Sequence, residues 1–507
     1  MTVPEIAGTV VRGKSQQPMK RIVLVYPNTG GIFIGLRKKR PMPLGLLNAA
    51  VYLTASYDVK IFDQNLFFNW QQELSRLLTP ETILVGIHSM AGLQILNALE
   101  ISEFIKKISD IPVIWGGVLP SLIPEVVIQE KSIDYICAGE GEVTLLELVR
   151  AIDRKQDISR VKGLYYKEDN EIKFTGERAF IDLNELPFLP YHLLDLSEYN
   201  VSAVARIYKN KQKLSIETSR GCVQDCIFCY NPVLNKRKWR AQSARRVLER
   251  IEHLAKDYGV SYLDFVDDAF FTDLQRVEDI ATGLIKRKHD IKWLLNGVDI
   301  HKLNQVDDAY LNLLERAGLV VLRMGAESGS VKTLNEMQKS TSVSDIININ
   351  NRLKKTNMIC YYYFTIGMKG ETPDDLKESI DLMFRLLRDN PRARILSAFC
   401  LTPQPGTRLL QEAEKDGFTF PGALREWARL DGSTIITPWF TEKEKADLNF
   451  LFFASLFIDQ KSKEIIESPL IRGLCNLYRP VARFRMRNLF FHVPLEYKIF
   501  ELLKNWR

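Results

Sequence analysis

Twice along this chain, short apolar runs recur at intervals filled by helix-length segments, and that alternation restricts the fold more than any other feature. The first set is RIVLVY (21–26), VKIFD (59–63), ILVGIH (83–88), PVIWGG (112–117) and IDYICAGEGE (133–142). Strands separated by helices pair in parallel, with helices on both faces of the sheet. Residues 21–150 are therefore expected to form a doubly wound, Rossmann-like α/β domain of ordinary size. Several runs end in glycine turns, PNTGG (27–31), GG (116–117) and AGEGE (138–142). Ligands of such sheets bind outside the carboxyl ends of the strands, where glycine admits backbone close to a ligand. A nucleotide-like ligand is expected there, although tight strand-to-helix turns would use the same glycines and GxGxxG is absent.

The second set starts with LSIETS (214–219) and continues through YLDFVDD (262–268), KWLLNGVD (292–299), VVLRMGAES (320–328), CYYYFTIG (360–367) and RILSAFC (394–400). Six strands with intervening helices suggest a partial (β/α)6 barrel of the triosephosphate-isomerase type over 206–415, with its chemistry at the carboxyl ends of the strands. YYYF (361–364) suits strand packing better than a substrate cage. A polar tail (1–20) precedes the first domain. A proline-bearing linker (151–205), containing a hairpin candidate at 163–176, joins the two, and a mainly helical region (416–507) follows.

Cys222, Cys226 and Cys229 lie in ETSRGCVQDCIFCYNP (217–232), directly after the first barrel strand. With seven cysteines, an odd number thinly spread outside this triplet, the chain does not suit a disulfide framework, and a reducing, cytoplasmic setting is expected. Thiolates are soft ligands for zinc and iron–sulfur clusters. A structural zinc ion needs a fourth nearby ligand, and none is in reach of the C-x3-C-x2-C spacing. A cubane held by three sulfurs leaves one iron open to bind something. Cys137, Cys360, Cys400 and Cys475 are isolated and are expected to pack as small hydrophobes.

The match of Cys222, Cys226, Phe228 and Cys229 to C-x3-C-x-(aromatic)-C resembles the radical S-adenosylmethionine superfamily. The resemblance implies a [4Fe–4S] cluster whose open iron chelates S-adenosyl-L-methionine, and one-electron cleavage to methionine and a 5′-deoxyadenosyl radical. It also implies an electron donor such as flavodoxin or ferredoxin. Phe228 would lie against the adenine. VDDAF (266–270), MGAESGS (324–330) and IGMKGET (366–372) align in order with the superfamily's later strand motifs, which nominates Asp267, Glu327 and Ser328 as polar contacts. Taken alone, Asp267 and Asp268 would serve as helix caps, and Glu327 would pair with a base such as Arg323.

A doubly wound domain ahead of such a barrel is similar to the cobalamin-binding branch, which includes hopanoid lipid methylases and the anaerobic bacteriochlorophyll cyclase; the likeness covers most of 21–415. It implies cobalamin over the sheet edge, with Gly116, Gly117, Gly139 and Gly141 as contacts. The pattern Asp-x-His-x-x-Gly is missing, which implies cobalt without a histidine below it. DIHKLN (299–304) fits only its first positions and reads as a helix start, and His88 is the domain's sole histidine. The GG turn is followed by Val118 and Leu119 where relatives often carry histidine.

The expected function is methylation of an unactivated carbon in a small, apolar or lipid-like substrate. The alternatives are a cobalamin-assisted cyclase or oxidoreductase without methyl transfer, and a metal-bearing binding protein at a membrane surface. No catalytic residue beyond the cluster ligands is legible. A net charge of +7 is weak support for nucleic acid, and no nucleic-acid module accompanies it. From 471 to 507, Arg and Lys far outnumber Glu496 and Glu501 and aromatics interleave, which suits peripheral membrane contact as well as it suits a helical cap. The longest apolar run, 450–458, is shorter than the ~20 residues a spanning helix needs.

Overall fold

The computed structural model describes residues 18–29, 41–199, 212–419, 422–429, 435–459, 469–491 and 494–498. The tail expected at 1–20 lies almost wholly outside the described residues.

The first alternating region forms β1 (Arg21–Tyr26), β2 (Asp58–Asp63), β3 (Thr82–His88), β4 (Val113–Gly116) and β5 (Tyr135–Cys137). They pair in parallel in the order β2-β1-β3-β4-β5. Alternate residues of one strand serve two cores, as the period of two requires. Val23 and Val25 face the helix Gln94–Ile108, whereas Ile22 and Leu24 face the helices Leu44–Ala50 and Gly141–Asp153.

The hairpin within 163–176 forms as β6 (Leu164–Glu168) and β7 (Glu171–Phe174). It pairs antiparallel to β5 and extends the sheet to seven strands. Its turn residues Asp169 and Asn170 adopt φ of 52° and 65°. This left-handed pair is tolerated by Asp and Asn and matches the twist of a two-residue hairpin. The rest of the expected linker is packed rather than loose. Leu183, Leu186, Leu189 and Tyr191 join the barrel core, and the Tyr191 hydroxyl donates to the Ser215 carbonyl at 2.8 Å.

The second region forms β8 (Gln212–Ile216), a short pair β9 (Ser219–Arg220) and β10 (Arg240–Ala241), then β11 (Val260–Phe265), β12 (Lys292–Val298), β13 (Leu319–Glu327), β14 (Ile359–Ile366) and β15 (Ala393–Cys400). β8, β11, β12, β13, β14 and β15 pair in parallel in that order, the sequential arrangement of a partial barrel. Side-chain caps start the helices between them. Asp299 takes the N–H of Lys302, so DIHKLN is a helix start, and Asp273 rather than Asp267 or Asp268 caps the helix after β11. In YYYF, Tyr362 and Phe364 are fully buried in the outer core, while Tyr361 and Tyr363 take the opposite face.

The region after 416 serves both halves. Leu424, Trp427 and Ala428 are buried in the first domain's core, a return crossing that the sequence did not announce. The helix Glu442–Ser455 lies along β15, where the Ala398 N–H donates to Ser455 Oγ at 2.8 Å. It thereby covers an edge strand that would otherwise be open to pairing.

Candidate active site

β9 and β10 close the cysteine loop at its base, and one glycine makes the closure possible. Gly221 has φ of +87°, and a Cβ there would lie 2.0 Å from the Lys238 carbonyl oxygen. Its N–H donates to Asp268 Oδ2 at 2.9 Å. Behind the loop, Asp267 accepts from the Thr218 N–H (2.8 Å), Thr218 Oγ1 (2.6 Å) and Ser219 Oγ (2.7 Å). Burial pushes its pKa up to about 6, although Arg276 and these donors oppose the shift. Asp267 is thus a brace beneath the loop, not the open polar contact that strand order suggested. At the far side, the Ile227 N–H donates to the Met337 carbonyl (3.2 Å) and the Leu409 N–H to the Ile227 carbonyl (3.1 Å). Ile227 is itself buried with Met337, Met368, Leu401 and Leu409.

So pinned, the loop gathers Cys222, Cys226 and Cys229, all half-buried and none in a disulfide. Burial raises all three thiol pKa values, that of Cys229 to about 12, and the thiols add to one another's shift at Cys226 and Cys229. The N–H groups of Gln224 and Asn231 donate to the sulfurs of Cys222 and Cys229, each at 3.4 Å. Among the described residues no three His, Cys, Asp or Glu side chains converge on a point that would hold a single metal ion. A cubane spreads its ligands over separate iron corners and needs no such convergence. Phe228 faces the small apolar cluster round Ile227.

Across from the thiols, the end of β13 carries a strained acidic residue. Glu327 has φ of +60°, unusual for a residue with a Cβ and costing on the order of 1–2 kcal/mol. Its carboxylate accepts from Lys339 Nζ at 3.0 Å and from Thr365 Oγ1 at 2.8 Å, so its partner is Lys339 rather than Arg323. Burial alone would lower the Lys339 pKa, but Glu327 and Cys226 outweigh it and hold the ammonium charged. Lys339 was not singled out in the sequence, where MQKST carries no spacing signal. Ser328 turns inward, sharing a hydrogen bond with Ser379 Oγ at 2.9 Å and accepting from the Ser330 N–H. Its side chain is fully buried.

The two sheets meet over a cavity of about 360 Å³. Gly116, Gly117, Gly139 and Gly141 line it from the first domain; Glu217, Arg220, Tyr230, Asn231 and Asp268 line it from the barrel. Gly117 has φ of +106°, and a Cβ there would meet the Ser89 carbonyl at 2.8 Å and the His88 ring at 2.9 Å. A Cβ at Gly139, by contrast, meets no heavy atom within 4 Å. His88 faces the same space, stacked on Tyr26 at 5.5 Å, and burial pushes its pKa down to about 4, so the imidazole is neutral.

Arg220 joins the halves. Its guanidinium donates to Glu140 (2.9 Å) and Glu142 (2.6 Å) of the first domain and to Glu217 (2.8 Å) of its own. Arg240 adds a second bond to Glu140 at 2.7 Å. Burial would lower the Arg220 pKa, but the three carboxylates raise it well above its ordinary value. Glu142 Oε2, buried at the cavity wall, has no hydrogen-bond partner. A buried acceptor without a donor is costly, so this atom marks a place for a ligand's N–H or O–H.

These features fit the groups implied by the sequence: thiols with backbone N–H donors for a cluster, and a glycine cradle with an orphaned acceptor for a corrinoid. A radical SAM superfamily profile matches residues 216–383, and a B12 binding domain profile matches residues 32–149. An uncharacterized methyltransferase of Pyrococcus horikoshii, PH0819, is 26% identical over 90% of this chain and 98% of its own. The anaerobic magnesium-protoporphyrin IX monomethyl ester cyclase of Synechocystis sp. is 25% identical over 64% of this chain, which spans 64% of that protein's length. Among solved structures, the radical S-adenosylmethionine methyltransferase TsrM of Kitasatospora setae, with cobalamin and a [4Fe–4S] cluster bound, superposes with a TM-score of 0.68. It does so at 17% identity over 93% of this chain and 99% of that one, a likeness of fold.

Proposed function

We propose that this chain, a cobalamin-dependent radical S-adenosylmethionine enzyme, transfers a methyl group to an unactivated carbon of a small, apolar or lipid-like substrate. The observation that carries the reading is the shared cavity, which opens the glycine edge of the first sheet directly onto the residues flanking the cysteine loop. A methyltransferase relative aligned over almost the full length of both chains favours methyl transfer over cyclisation. When bound, the cluster and cobalamin supply electron transfer and methyl transfer, and the protein supplies placement.

Cys222, Cys226 and Cys229 would hold the cluster. Their loop is fixed on both sides, by Asp267 and Asp268 at its base and by Met337 and Leu409 beyond Ile227. The Lys339 ammonium and the Glu327 carboxylate offer opposite charges beside Cys226, complementary to the carboxylate and ammonium of S-adenosylmethionine. Phe228 offers an apolar face for its adenine. Gly116, Gly117, Gly139 and Gly141 would admit the corrinoid, with Glu142 accepting a hydrogen bond from its amide edge. An external electron donor of the flavodoxin or ferredoxin kind is required by one-electron chemistry. The second reading, a cyclase without methyl transfer, is favoured by the cyclase relative and is separated by product mass.

Two measurements test these placements. Replacing Lys339 with methionine removes one buried charge-assisted hydrogen bond, worth roughly 1.5–3 kcal/mol. The expected result is S-adenosylmethionine binding weakened by about tenfold to a hundredfold with iron content unchanged; unchanged binding would remove Lys339 from the site. Gly139→Ala puts a methyl group into open space, at a left-handed strain of about 1–2 kcal/mol. It is expected to lower corrinoid retention, read from visible absorbance, while Gly259→Ala, also at positive φ with nothing near, incurs the same strain without that loss.

A further inference from the structure

The inner face of the partial barrel is open. Along β14, Cys360, Tyr362, Phe364 and Ile366 are buried in the outer core, while Tyr361, Tyr363 and Thr365 between them stay partly exposed. The period of two in a strand assigns the second set to the concave side. Arg323 and Gly325 of β13 and Phe399 of β15 are likewise partly exposed, and Phe399 stacks on Tyr363 at 6.1 Å. Towards the amino-terminal ends of the strands, Tyr262, Leu294 and Val321 form a buried apolar floor. A closed barrel fills the space above such a floor with side chains. Six strands leave it accessible here.

The layer on that floor is polar, and its charges do not balance. Lys213 meets Asp264 at 3.1 Å, the two side chains 7% and 8% exposed. Asn296 donates to Asp264 Oδ1 at 2.6 Å and accepts from Arg323 Nη1 at 2.6 Å. Asp264 is thus answered by Lys213, and Glu327, the acid that sequence order offered to Arg323, is answered by Lys339. Among the described residues no carboxylate lies within 4 Å of the Arg323 guanidinium, and its Nε and Nη2 make no hydrogen bond and are not sealed from solvent. Burial would lower the Arg323 pKa, but Tyr363, Asp264 and Tyr361 raise it, so the group stays charged. A largely enclosed cation with a neutral partner is costly. A planar fork with donors to spare is the group that receives a carboxylate or a phosphate.

We propose that Arg323 holds an anionic end group of the substrate, a carboxylate or a phosphate, while the apolar body of the same molecule lies along Tyr361, Tyr363 and Phe399. About 13 Å of β13 separates Arg323 from Glu327 at the rim. The acted-on carbon therefore lies a short chain away from the anion. YYYF divides between two tasks, packing through Tyr362 and Phe364 and substrate contact through Tyr361 and Tyr363. The apolar body rests on the reading of the substrate given above; the anion rests on Arg323.

The test is calorimetric titration of the iron- and cobalamin-loaded protein, with S-adenosylmethionine present, using octanoate, octyl phosphate and octan-1-ol as probes. The expected result is that octanoate or octyl phosphate binds about tenfold to a hundredfold more tightly than octanol. The tighter of the two identifies the end group. Arg323→Gln is expected to remove this preference and to leave octanol binding unchanged, and Arg323→Lys to retain part of it. Equal binding of all three probes by the parent would overturn the proposal, a comparison that needs no variant. So would a preference that survives in Arg323→Gln, or a loss in that variant that falls equally on octanol and the anions. Inorganic phosphate bound as tightly as octyl phosphate, and through Arg323, would support the anion site and overturn the apolar reading of the substrate, so the two can fail separately. Binding is read without turnover, and cleavage of S-adenosylmethionine by the parent reports on the radical chemistry by itself.

Discussion

Replacing Cys226 with alanine is expected to eliminate the iron–sulfur absorption of the anaerobically reconstituted protein and to reduce 5′-deoxyadenosine formation to the level of protein-free controls. Three sulfurs are the fewest that leave a single open corner on a cubane. Cys226 is the central one; its thiol senses Cys222 and neighbours Lys339, and Cys229 senses it in turn. The fold should survive, because the loop's anchors run through Ile227, Gly221 and Thr218 rather than through this side chain. Cys475→Ala is the matched control, since Cys475 lies far along the sequence on the C-terminal helix. Full deoxyadenosine release by the Cys226 variant would mean that the triplet does not hold the cluster.

The second large effect is expected at Arg220. Its side chain is 11% exposed and meets three carboxylates, two of them across the domain boundary. Removing one partner of a buried ionic set leaves uncompensated charge and costs about 3–5 kcal/mol. Arg220→Gln is therefore expected to shift the denaturation midpoint strongly and to release corrinoid, because Glu140 and Glu142 border the cavity. Arg220→Lys should fall between, as a point charge cannot serve three acceptors in a planar fork. There is a pH signature as well. Burial would raise the Glu140 pKa, yet Arg220 and Arg240 hold it below the ordinary 4.5. Its stabilising contribution is complete above that pH and is lost as pH falls through the lower folded value. Arg220→Gln should flatten this acid limb. A variant with parental stability and corrinoid content would show that the network is dispensable.

How legible these features were in the sequence follows from their physics. Both sheets were readable because a buried parallel strand needs a continuous apolar run. RIVLVY coincides with β1 at both ends, and the six barrel runs fall on β8 and on β11 to β15. The cysteine triplet was readable because its three ligands are close in sequence. Contacts distant in sequence were not. Lys339 meets Glu327 and lies near Cys226 only after the barrel closes, and Arg220 reaches Glu140 and Glu142 across some eighty residues.

Strand order placed Asp267 near the cofactor edge, but order along the chain cannot say which face a carboxylate takes, and here it braces Thr218 and Ser219. Ser328 and Ser379 pair for the same reason, one sequence-remote hydroxyl satisfying another. The outward-facing leucines of the helix Pro469–Arg487 could be suspected from composition, yet only packing distinguishes an exposed leucine from a core one.

The most direct test of the central reading is mass spectrometry of what the iron- and cobalamin-loaded enzyme makes from S-adenosylmethionine and a one-electron reductant. Release of both 5′-deoxyadenosine and S-adenosylhomocysteine is expected, the first reporting reductive cleavage and the second reporting methyl donation. Loaded enzyme that forms neither compound, while holding iron through these cysteines, would contradict the account.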